Sequence, residues 1–245
     1  MSRDVAAGAD AAHAYETLEE FSGLDVRAIV STRAAGDLGM AGTAPVGQLL
    51  DRWTALRVAL GDGRPVARFA SAIQVHGAHV VEYGEGWRGW LRSDAADGHF
   101  SRARGIGFAV TIADCVPIFV AHPAGAIALL HAGWRGTAAG ILTRTLLLFA
   151  AHGLAPTELR IHMGPAICGR CYEVGADVYA KITGQAAAHP RKIDLRAVLA
   201  DQARAGGARN ITVSECCTMC DNARFFSHRA GDSGRQVAAI AAPSA

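Results

Sequence analysis

The sequence predicts a single domain with an α/β (α+β) fold, in which mixed β-sheets are flanked by helices. Short apolar runs that fit strands alternate along the chain with longer segments of helical periodicity. Hydrophobic residues make up 51% of the 245 positions, and no Ser/Gly-rich linker, charge run or repeat divides the chain. We therefore expect residues 26–245 to form one domain, preceded by residues 1–25 as a mobile or briefly helical N-terminal lead-in.

The first half of the chain predicts strands around one helix. Residues 26–32, Val-Arg-Ala-Ile-Val-Ser-Thr, fit a first strand. Over residues 45–60 the apolar side chains form a broad helical stripe, and Gly61 supplies a C-terminal stop. Further strands are predicted near residues 66–75, 79–83, 107–113, 116–121 and 126–131.

The second half begins with the clearest helix, predicted over residues 137–151 and capped by Gly153. The segment Gly133-Trp134-Arg135-Gly136 leads into it, and the free N–H groups at a helix start favour anions. A phosphate held there is one interpretation, and an ordinary N-cap at Thr137 is the other. The remaining predictions are strands at 159–163, 211–214 and 236–241, a helix at 175–182, and a helix opened by Asp194 and closed near Gly206.

A predicted hairpin brings a cysteine close to a histidine. The apolar runs 116–120 and 126–130 are separated by five residues around Pro123. If the pairing is centred on Pro123, Cys115 faces His131, with Cβ atoms roughly 4.5 to 5.5 Å apart. His76 follows another predicted strand, and we expect it to join the pair from a neighbouring strand.

Two imidazoles and a thiolate suit a zinc ion, and three protein ligands leave its fourth position open, as in catalytic sites. We therefore predict that His76, Cys115 and His131 are the catalytic residues and bind the metal, which is zinc with copper as an alternative. Taken singly, each histidine is more often bonded to backbone and the cysteine is more often a buried small hydrophobe. A nucleophile–base pair of Cys115 and His131 also remains open.

Two Cys-x-x-Cys pairs, Cys168 with Cys171 and Cys217 with Cys220, have the spacing of a structural four-cysteine zinc site. The 45 residues between the pairs exceed the roughly 15 to 20 of a compact zinc ribbon and hold two predicted helices. Packed thiols are therefore favoured over a second metal, which stays an alternative.

Four further side chains are candidates for binding the substrate or phosphate. Arg135 lies beside a predicted ligand and a helix start, whereas Arg33 and Arg229 are arginines whose usual place is the surface. His162 precedes Gly164-Pro165 and is expected to line a cleft, with a packed histidine as the alternative.

Composition narrows the class of protein. The formal charge of +2, from 24 basic and 22 acidic residues, gives no field for a polyanion, so we expect small-molecule partners and no nucleic acid. The N-terminus lacks the apolar core of a secretory signal, and no apolar run reaches the ~18 residues of a membrane span. Six cysteines then fit thiols or metal ligands better than disulfides. We predict a cytoplasmic protein without membrane contact.

Five short motifs occur in order between residue 26 and the C-terminus. They are Gln74-Val75-His76-Gly77, Thr111-Ile112-Ala113-Asp114-Cys115-Val116-Pro117, His131-Ala132-Gly133-Trp134-Arg135-Gly136, Gly164-Pro165-Ala166-Ile167 with Cys171-Tyr172-Glu173-Val174, and Phe225-Phe226-Ser227-His228-Arg229. In these motifs the chain resembles the laccase-domain family, also called the multicopper polyphenol oxidoreductase family, whose bacterial members are described as purine nucleoside phosphorylases.

The resemblance implies a fold of mixed β-sheets flanked by helices and a catalytic zinc bound by His76, Cys115 and His131. It also implies phosphorolysis of adenosine, inosine and methylthioadenosine, deamination of adenosine, and therefore nucleoside and phosphate as partners. The chain departs from the family at residues 33–40, where a Gly-rich segment is shortened, and at His228, where a tyrosine is common.

Three other functions remain open. The Cys115–His131 pair would suit a cysteine hydrolase or amidase. Peptidoglycan precursors as its substrates are implied only by the resemblance, since some members of that family carry a peptidoglycan-editing name. Copper-dependent polyphenol oxidation is another, although the chain has too few histidine clusters for several copper sites. A zinc-stabilised interaction module built on the paired Cys-x-x-Cys motifs would not be an enzyme. Metal content and the residues that hold the metal distinguish these possibilities.

Overall fold

Two six-stranded mixed sheets form the centre of the molecule. The structure, a computed structural model, describes residues 14–42 and 44–244. Sheet 1 contains, in spatial order, β1 (Tyr15–Thr17), β2 (Arg27–Ser31), β14 (Gln236–Ala242), β7 (Ile106–Ile112), β3 (Arg68–Ala72) and β5 (Gly89–Ser93). Sheet 2 contains β13 (Asn210–Val213), β10 (Arg160–Met163), β8 (Val116–Ala121), β9 (Ile127–Ala132), β6 (Gly98–Ser101) and β4 (Val80–Glu82). A small third sheet pairs β11 (Glu173–Val174) with β12 (Arg191–Lys192).

Five α-helices occur in the described part of the chain, besides three single-turn 3-10 helices at Glu19–Phe21, Arg33–Ala35 and Pro156–Glu158. The α-helices are α1 (Val46–Gly61), α2 (Trp134–Ala138), α3 (Ile141–Ala151), α4 (Ala176–Thr183) and α5 (Leu195–Ala205). Helix α1 packs on the outer face of sheet 1 through Trp53, Leu56 and Leu60, while the other four pack on the outer face of sheet 2. None of these helices is long and apolar enough to cross a membrane.

The space between the two sheets is filled by apolar side chains from both, including Phe108 and Val110 of sheet 1 and Phe119 and Leu129 of sheet 2. Fully burying one such side chain stabilises the fold by about 1.5 to 3 kcal/mol. Helix, sheet, sheet and helices therefore form four layers. The predicted α/β (α+β) fold, with mixed sheets flanked by helices, is confirmed.

The nine predicted strands occur within three residues of their expected ends, whereas β1, β5, β6, β11 and β12 were not predicted. Strand β6 is buried but only four residues long, and in Gly98-His99-Phe100-Ser101 only the phenylalanine is of a type enriched in strands. Strand β5 lies at the edge of sheet 1 and is largely exposed.

Part of the predicted N-terminal lead-in, residues 1–13, lies outside the described residues. Its later part contains β1, which pairs antiparallel with β2, so that sheet 1 begins inside the segment 1–25. The domain boundary at residue 26 remains a prediction. Sheet 1, however, includes the residues of β1, which precede that boundary.

The prediction of one helix over residues 137–151 was wrong. Two helices, α2 and α3, are separated by Gly140, whose φ of 72° lies in the left-handed region. Thr137 lies inside α2 rather than at an N-cap, and its hydroxyl donates to the Gly133 carbonyl at 2.9 Å. By contrast, Asp194 caps α5 as predicted, since its carboxylate accepts from the Arg196 N–H.

The predicted hairpin is formed by β8 and β9, but its register differs from the expected one. Pro117 pairs with His131 and Val116 with Ala132, so the strand register sets Cys115 against Gly133 rather than His131. The turn is centred one residue beyond Pro123, because Gly125 takes the left-handed conformation, with φ 91°, and the His122 N–H bonds to the Ala126 carbonyl. Cys115 and His131 are therefore diagonal neighbours on one face.

Three consecutive connections cross from sheet 1 to sheet 2, namely β3 to β4, β5 to β6, and β7 to β8. They carry His76, Asp97 and Cys115 respectively, and β9 brings His131 to the same edge. This topology explains why residues far apart in sequence can share one site.

Candidate metal centre

His76, Cys115 and His131 converge at the edge formed by these crossings. One ligand atom from each residue lies within 4.8 Å of the other two. The two imidazole rings are 4.9 Å apart between centroids and nearly perpendicular. His131 is buried, Cys115 is half-buried and His76 is exposed, so the cluster opens to solvent on the His76 side. The structure thus brings together all three residues predicted to bind a metal.

Asp97 holds both imidazoles in place. Its fully buried carboxylate accepts the His131 Nδ1 proton at 2.8 Å and the backbone N–H groups of Val75, His76 and Gly77 at 3.2, 3.0 and 2.6 Å. Burial alone would raise the pKa of Asp97, but the hydrogen bonds from His131 and Gly77 lower it overall. With Nδ1 committed to Asp97, His131 offers Nε2 to a metal, the arrangement by which carboxylates orient metal-binding histidines.

The backbone at the cluster is strained in two places. His76 has φ 60° and Asp114 has φ 83°, both in the left-handed region that non-glycine residues rarely occupy. The Asp97 bonds stabilise the first turn. The second is stabilised by the Asp114 carboxylate, which accepts from the Thr218 hydroxyl at 2.6 Å and the Arg229 N–H at 2.7 Å. Asp114 therefore braces the turn that presents Cys115.

Gly133 makes room for the thiol. A Cβ at this position would lie 2.8 Å from Cys115 Sγ and 3.4 Å from His76 Cδ2. Any larger residue at position 133 would occupy the space between the Cys115 sulfur and the His76 imidazole.

The cluster favours a charged thiolate. Burial raises the pKa of the Cys115 thiol, but His131 and His76 outweigh it and bring the pKa down to about 6. Burial lowers the pKa of His131, but Cys115 and Asp97 outweigh it and raise the pKa to about 9. Because the thiolate is the form that binds metals, the sulfur is prepared for a cation, which would displace the proton on His131 Nε2.

The donor set fits a divalent cation of intermediate softness. Two imidazole nitrogens and one thiolate sulfur match the zinc ligands of catalytic sites that keep a fourth position open. Copper also accepts imidazole and sulfur donors, so the donor types alone allow both metals.

Two cavities meet at the cluster. The larger has a volume of about 840 Å³ and is lined by Ser71, Gln74, Arg92 and Arg235 among others. The smaller has a volume of about 250 Å³. The larger cavity is lined by His76, Cys115 and His131, and the smaller one by His76 and Cys115. His228 lines both cavities. A reacting group at the metal would therefore be accessible from two sides.

The structure brings two of the four predicted substrate-binding residues to these cavities. Arg135 and Arg229 both line the smaller one. Their guanidinium groups lie over aromatic rings, Arg135 over Trp134 at 4.5 Å and Arg229 over Tyr172 at 5.1 Å from the ring centroid. Stacking holds each planar cation in place, and Arg229 also donates to the Glu173 carbonyl at 3.1 Å.

The other two lie elsewhere, contrary to expectation. Arg33 donates to the carbonyls of Asn222 and Phe225 and forms an ion pair with Asp232, so its guanidinium holds a loop together. His162 is buried in the middle of β10, with Nδ1 at 2.9 Å from the Thr212 hydroxyl. Neither of them lines the two cavities at the cluster.

Sequence reasoning missed Asp97 and several lining residues, including Arg92 and Tyr172. A weak signal for Asp97 exists, because it is an acidic residue between two alanines, Ala95-Ala96, and a short segment that contains Phe100. Such a residue is costly to bury without partners. Arg92 belongs to β5, which was itself not predicted, so nothing in the sequence separated it from surface arginines.

A family model matches this chain over residues 53–243. It is described as multi-copper polyphenol oxidoreductase laccase. The match includes Cys115, His131 and His76, together with the crossings that carry them.

Relatives and solved structures agree with that match. The chain is 36% identical to a protein named purine nucleoside phosphorylase YlmD from Geobacillus stearothermophilus, over 72% of this chain and 73% of the relative. It is 32% identical to a purine nucleoside phosphorylase from Mycobacterium tuberculosis, over 86% of this chain and 89% of the relative. The crystal structure of YlmD from Geobacillus stearothermophilus superimposes with a TM-score of 0.82 at 29% identity, covering 93% of this chain and 94% of that one. This chain therefore belongs to the multi-copper polyphenol oxidoreductase laccase family.

Proposed function

We propose that this protein is a zinc-dependent purine nucleoside phosphorylase that cleaves adenosine, inosine and methylthioadenosine and also deaminates adenosine. The observation that carries the proposal is the position of the His76, Cys115 and His131 cluster between two cavities of different size. The names of the relatives support the same reaction class.

The two cavities suit the two substrates. A volume of about 840 Å³ lies within the range of small-molecule sites and accommodates a nucleoside. The smaller cavity presents Arg135 and Arg229, and arginine is well matched to a phosphate because its N–H groups can bond two oxygens at once. Phosphate and nucleoside would then approach the cluster from opposite sides.

Phosphorolysis needs a phosphate oxygen to attack C1′ of the ribose as the bond from C1′ to the purine nitrogen breaks. The electron pair goes to the purine, which takes up a proton, and the other product is ribose 1-phosphate. Arg135 and Arg229 would hold the phosphate and reduce repulsion between its charges, and His228, exposed in both cavities, can hydrogen-bond the ribose or the phosphate. Positioning of this kind converts an encounter of two molecules into a step within one complex.

Deamination of adenosine needs water to attack C6 of the purine and ammonia to leave, which yields inosine. When bound, the zinc supplies a Lewis acid that polarises substrate oxygens and lowers the pKa of water toward ~7. The chain keeps His131 in one orientation through Asp97, and it places the Cys115 thiolate beside that imidazole.

The test measures adenine and inosine formed from adenosine, with and without phosphate, on protein of known metal content. We expect adenine to require phosphate and both products to require zinc. Cys115→Ala should lose zinc from the cluster and lose both activities. Cys216→Ala is the matched control, because Cys216 is a partly buried thiol outside both groups of potential metal ligands. A Cys115→Ala protein that kept cluster zinc and full phosphorolysis would contradict the proposal.

A specific observation favours a cysteine hydrolase or amidase as the second candidate. Cys115, His131 and Asp97 follow one another as a thiolate, an imidazole and a carboxylate bonded to that imidazole, which is the order of a nucleophile, base and orienting acid. Activity on peptidoglycan precursors in metal-free protein, abolished by alkylation of Cys115 alone, would support it. His76 has no place in such a triad, which is why we favour the metal.

Copper-dependent oxidation of phenols would require copper in place of zinc at the same cluster. This oxidation should vanish when the cluster is filled with zinc only.

We also propose that the protein acts in the cytoplasm, since all six cysteines are free thiols. Its proposed partners are small molecules and not nucleic acid or membranes.

A further inference from the structure

Four cysteines from two distant loops gather at one point outside the catalytic cluster. Their sulfur atoms all lie within 4.8 Å of one another, and Cys171 Sγ is 3.4 Å from Cys220 Sγ. A zinc ion with four sulfur ligands at ~2.3 Å keeps those sulfurs roughly 3.8 Å apart, so the observed shell has the right size. We propose that Cys168, Cys171, Cys217 and Cys220 bind a structural zinc ion.

The parallel pairing of β10 and β13 explains how the two loops meet. Both strands end at the same edge of sheet 2, and each is followed by a loop that contains one Cys-x-x-Cys pair. The loops continue to pair beyond the strands, through a parallel bridge between Ala166 and Cys217 and a bond from the Thr218 N–H to the Ala166 carbonyl. The 45 intervening residues form β11, α4, β12, α5 and β13, and they do not separate the two pairs in space.

Hydrogen bonds to the sulfurs are those expected of thiolate ligands. Cys217 Sγ accepts from the N–H groups of Cys168 and Cys220 at 3.2 and 3.4 Å. Cys168 Sγ accepts from the N–H groups of Arg170 and Cys171. The first cysteine of each pair thus accepts from two backbone amides, and one of those on Cys217 comes from the other loop. Such bonds stabilise negative charge on sulfur.

A cation also lies beside the sulfurs. Four thiolates and one divalent ion carry two net negative charges, and the Arg170 guanidinium hydrogen-bonds Cys168 and lies close to Cys171 and Cys220. Four sulfur ligands leave no open position, so this ion would stabilise structure rather than bind substrate.

The cluster is connected to the wall of the smaller cavity. Thr218, between Cys217 and Cys220, donates to Asp114 Oδ1, and the Ile167 N–H donates to the Asp114 carbonyl at 3.1 Å. Ile167 and Tyr172 flank the first pair and line that cavity. A metal holding the two loops together would therefore fix one wall of the cavity and the turn that presents Cys115.

The experiment counts zinc in protein equilibrated with Zn²⁺ and then dialysed. Wild-type protein should hold two zinc ions per chain, whereas Cys220→Ser and Cys115→Ala should each hold one. Cys216→Ser should hold two, because it removes a neighbouring thiol that is outside the cluster. Loading Cys115→Ala with Co²⁺ should give the intense visible absorption of a tetrahedral site with four sulfur ligands.

Cys115→Ala leaves the four-cysteine cluster intact, so the proposal can be tested even if Cys220→Ser fails to fold. Removing its remaining zinc with a chelator should lower its Tm by roughly 5 °C or more and expose four reactive thiols. Absence of zinc from Cys115→Ala would overturn the proposal, as would a Cys171–Cys220 disulfide in the zinc-loaded protein. Either result would contradict the structural zinc site but leave the proposed phosphorylase activity intact. Bound zinc in Cys115→Ala together with an inactive wild-type enzyme would instead support the structural site and contradict the phosphorylase.

Discussion

The two sulfur-containing clusters differ in the elements that carry them and in what they leave exposed. His76, Cys115 and His131 lie on connections between sheets and on a central strand, and a buried carboxylate orients them. The four cysteines lie on two loops at one sheet edge, and two backbone N–H groups donate to the Cys217 sulfur. The first cluster offers three donors beside two cavities, whereas the second offers four donors and opens into neither cavity.

This difference links ligand number to the supporting structure. A site with an open position needs rigid supports, because fewer ligands must define its geometry. A closed site of four sulfurs defines its own geometry and can be built on loops. The predictions below separate the two clusters by changing one while measuring the other.

The largest effect is expected from His131→Ala. Removing the ligand that Asp97 holds should reduce kcat/KM for adenosine with phosphate by about 10³-fold or more, equivalent to about 4 kcal/mol of transition-state stabilisation. His152→Ala serves as a control, since His152 lies at the end of α3 away from both cavities. Near-normal kinetics in His131→Ala would remove this cluster from the reaction.

A smaller loss is expected from Asp97→Asn. The amide cannot accept from all four donors that now converge on Asp97, so His131 and the His76 loop should lose their fixed orientation. We expect zinc affinity at the first cluster to fall roughly 10- to 100-fold, with the four-cysteine site unchanged. Competition with a chromogenic chelator measures the zinc affinities of both sites. Asp94→Asn is a matched control, because Asp94 is an exposed aspartate near Asp97 in the sequence. Equal weakening of both sites would indicate a global effect instead.

Arg135→Ala should act on phosphate rather than on the metal. Loss of one charge-assisted contact should raise the KM for phosphate about tenfold while zinc content stays constant. Steady-state kinetics with varied phosphate provides the measurement, and Arg144→Ala on the exposed side of α3 provides the comparison. A change in KM for adenosine alone would place phosphate elsewhere.

The smallest expected effect concerns pH. Because the pKa of Cys115 is lowered to about 6 in metal-free protein, its thiolate fraction should only about double between pH 6 and pH 8. An ordinary thiol would increase its thiolate fraction nearly a hundredfold over the same range. The rate of iodoacetamide labelling at Cys115, followed by mass spectrometry of its peptide, measures this ratio, and zinc should protect the residue. A steep rise with pH would mean that His131 does not form the expected ion pair.

The sequence predicted local structure well where one face of an element is buried. Helix α1, the β8–β9 hairpin and the Asp194 cap all follow from short-range patterns of apolar spacing and turn residues. It failed where a glycine determined the outcome. Gly140 divides one predicted helix into two, and Gly125 shifts the hairpin register, because a glycine can take a left-handed conformation without revealing in the sequence whether it does.

The candidate site shows the same division between local and long-range information. Motif positions indicated His76, Cys115 and His131, but Asp97 is 34 residues from the histidine it orients, and only the sheet crossings bring them together. The convergence of the two Cys-x-x-Cys pairs likewise depends on parallel strand pairing, which spacing along the chain does not reveal. Arg33 and His162 were chosen because arginine and histidine are often found near ligands. Arg33 instead bonds the Asn222 carbonyl of a loop, and His162 bonds the Thr212 hydroxyl inside sheet 2.

The three connections that cross from sheet 1 to sheet 2 have a consequence for folding. None of them can place its metal-binding or orienting residue until strands of both sheets have paired, and the β14–β7 pairing joins the C-terminal strand to the middle of sheet 1. Contacts this distant in sequence form slowly. During refolding, capture of zinc by the His76 cluster should therefore be a late event that reports completion of the whole core.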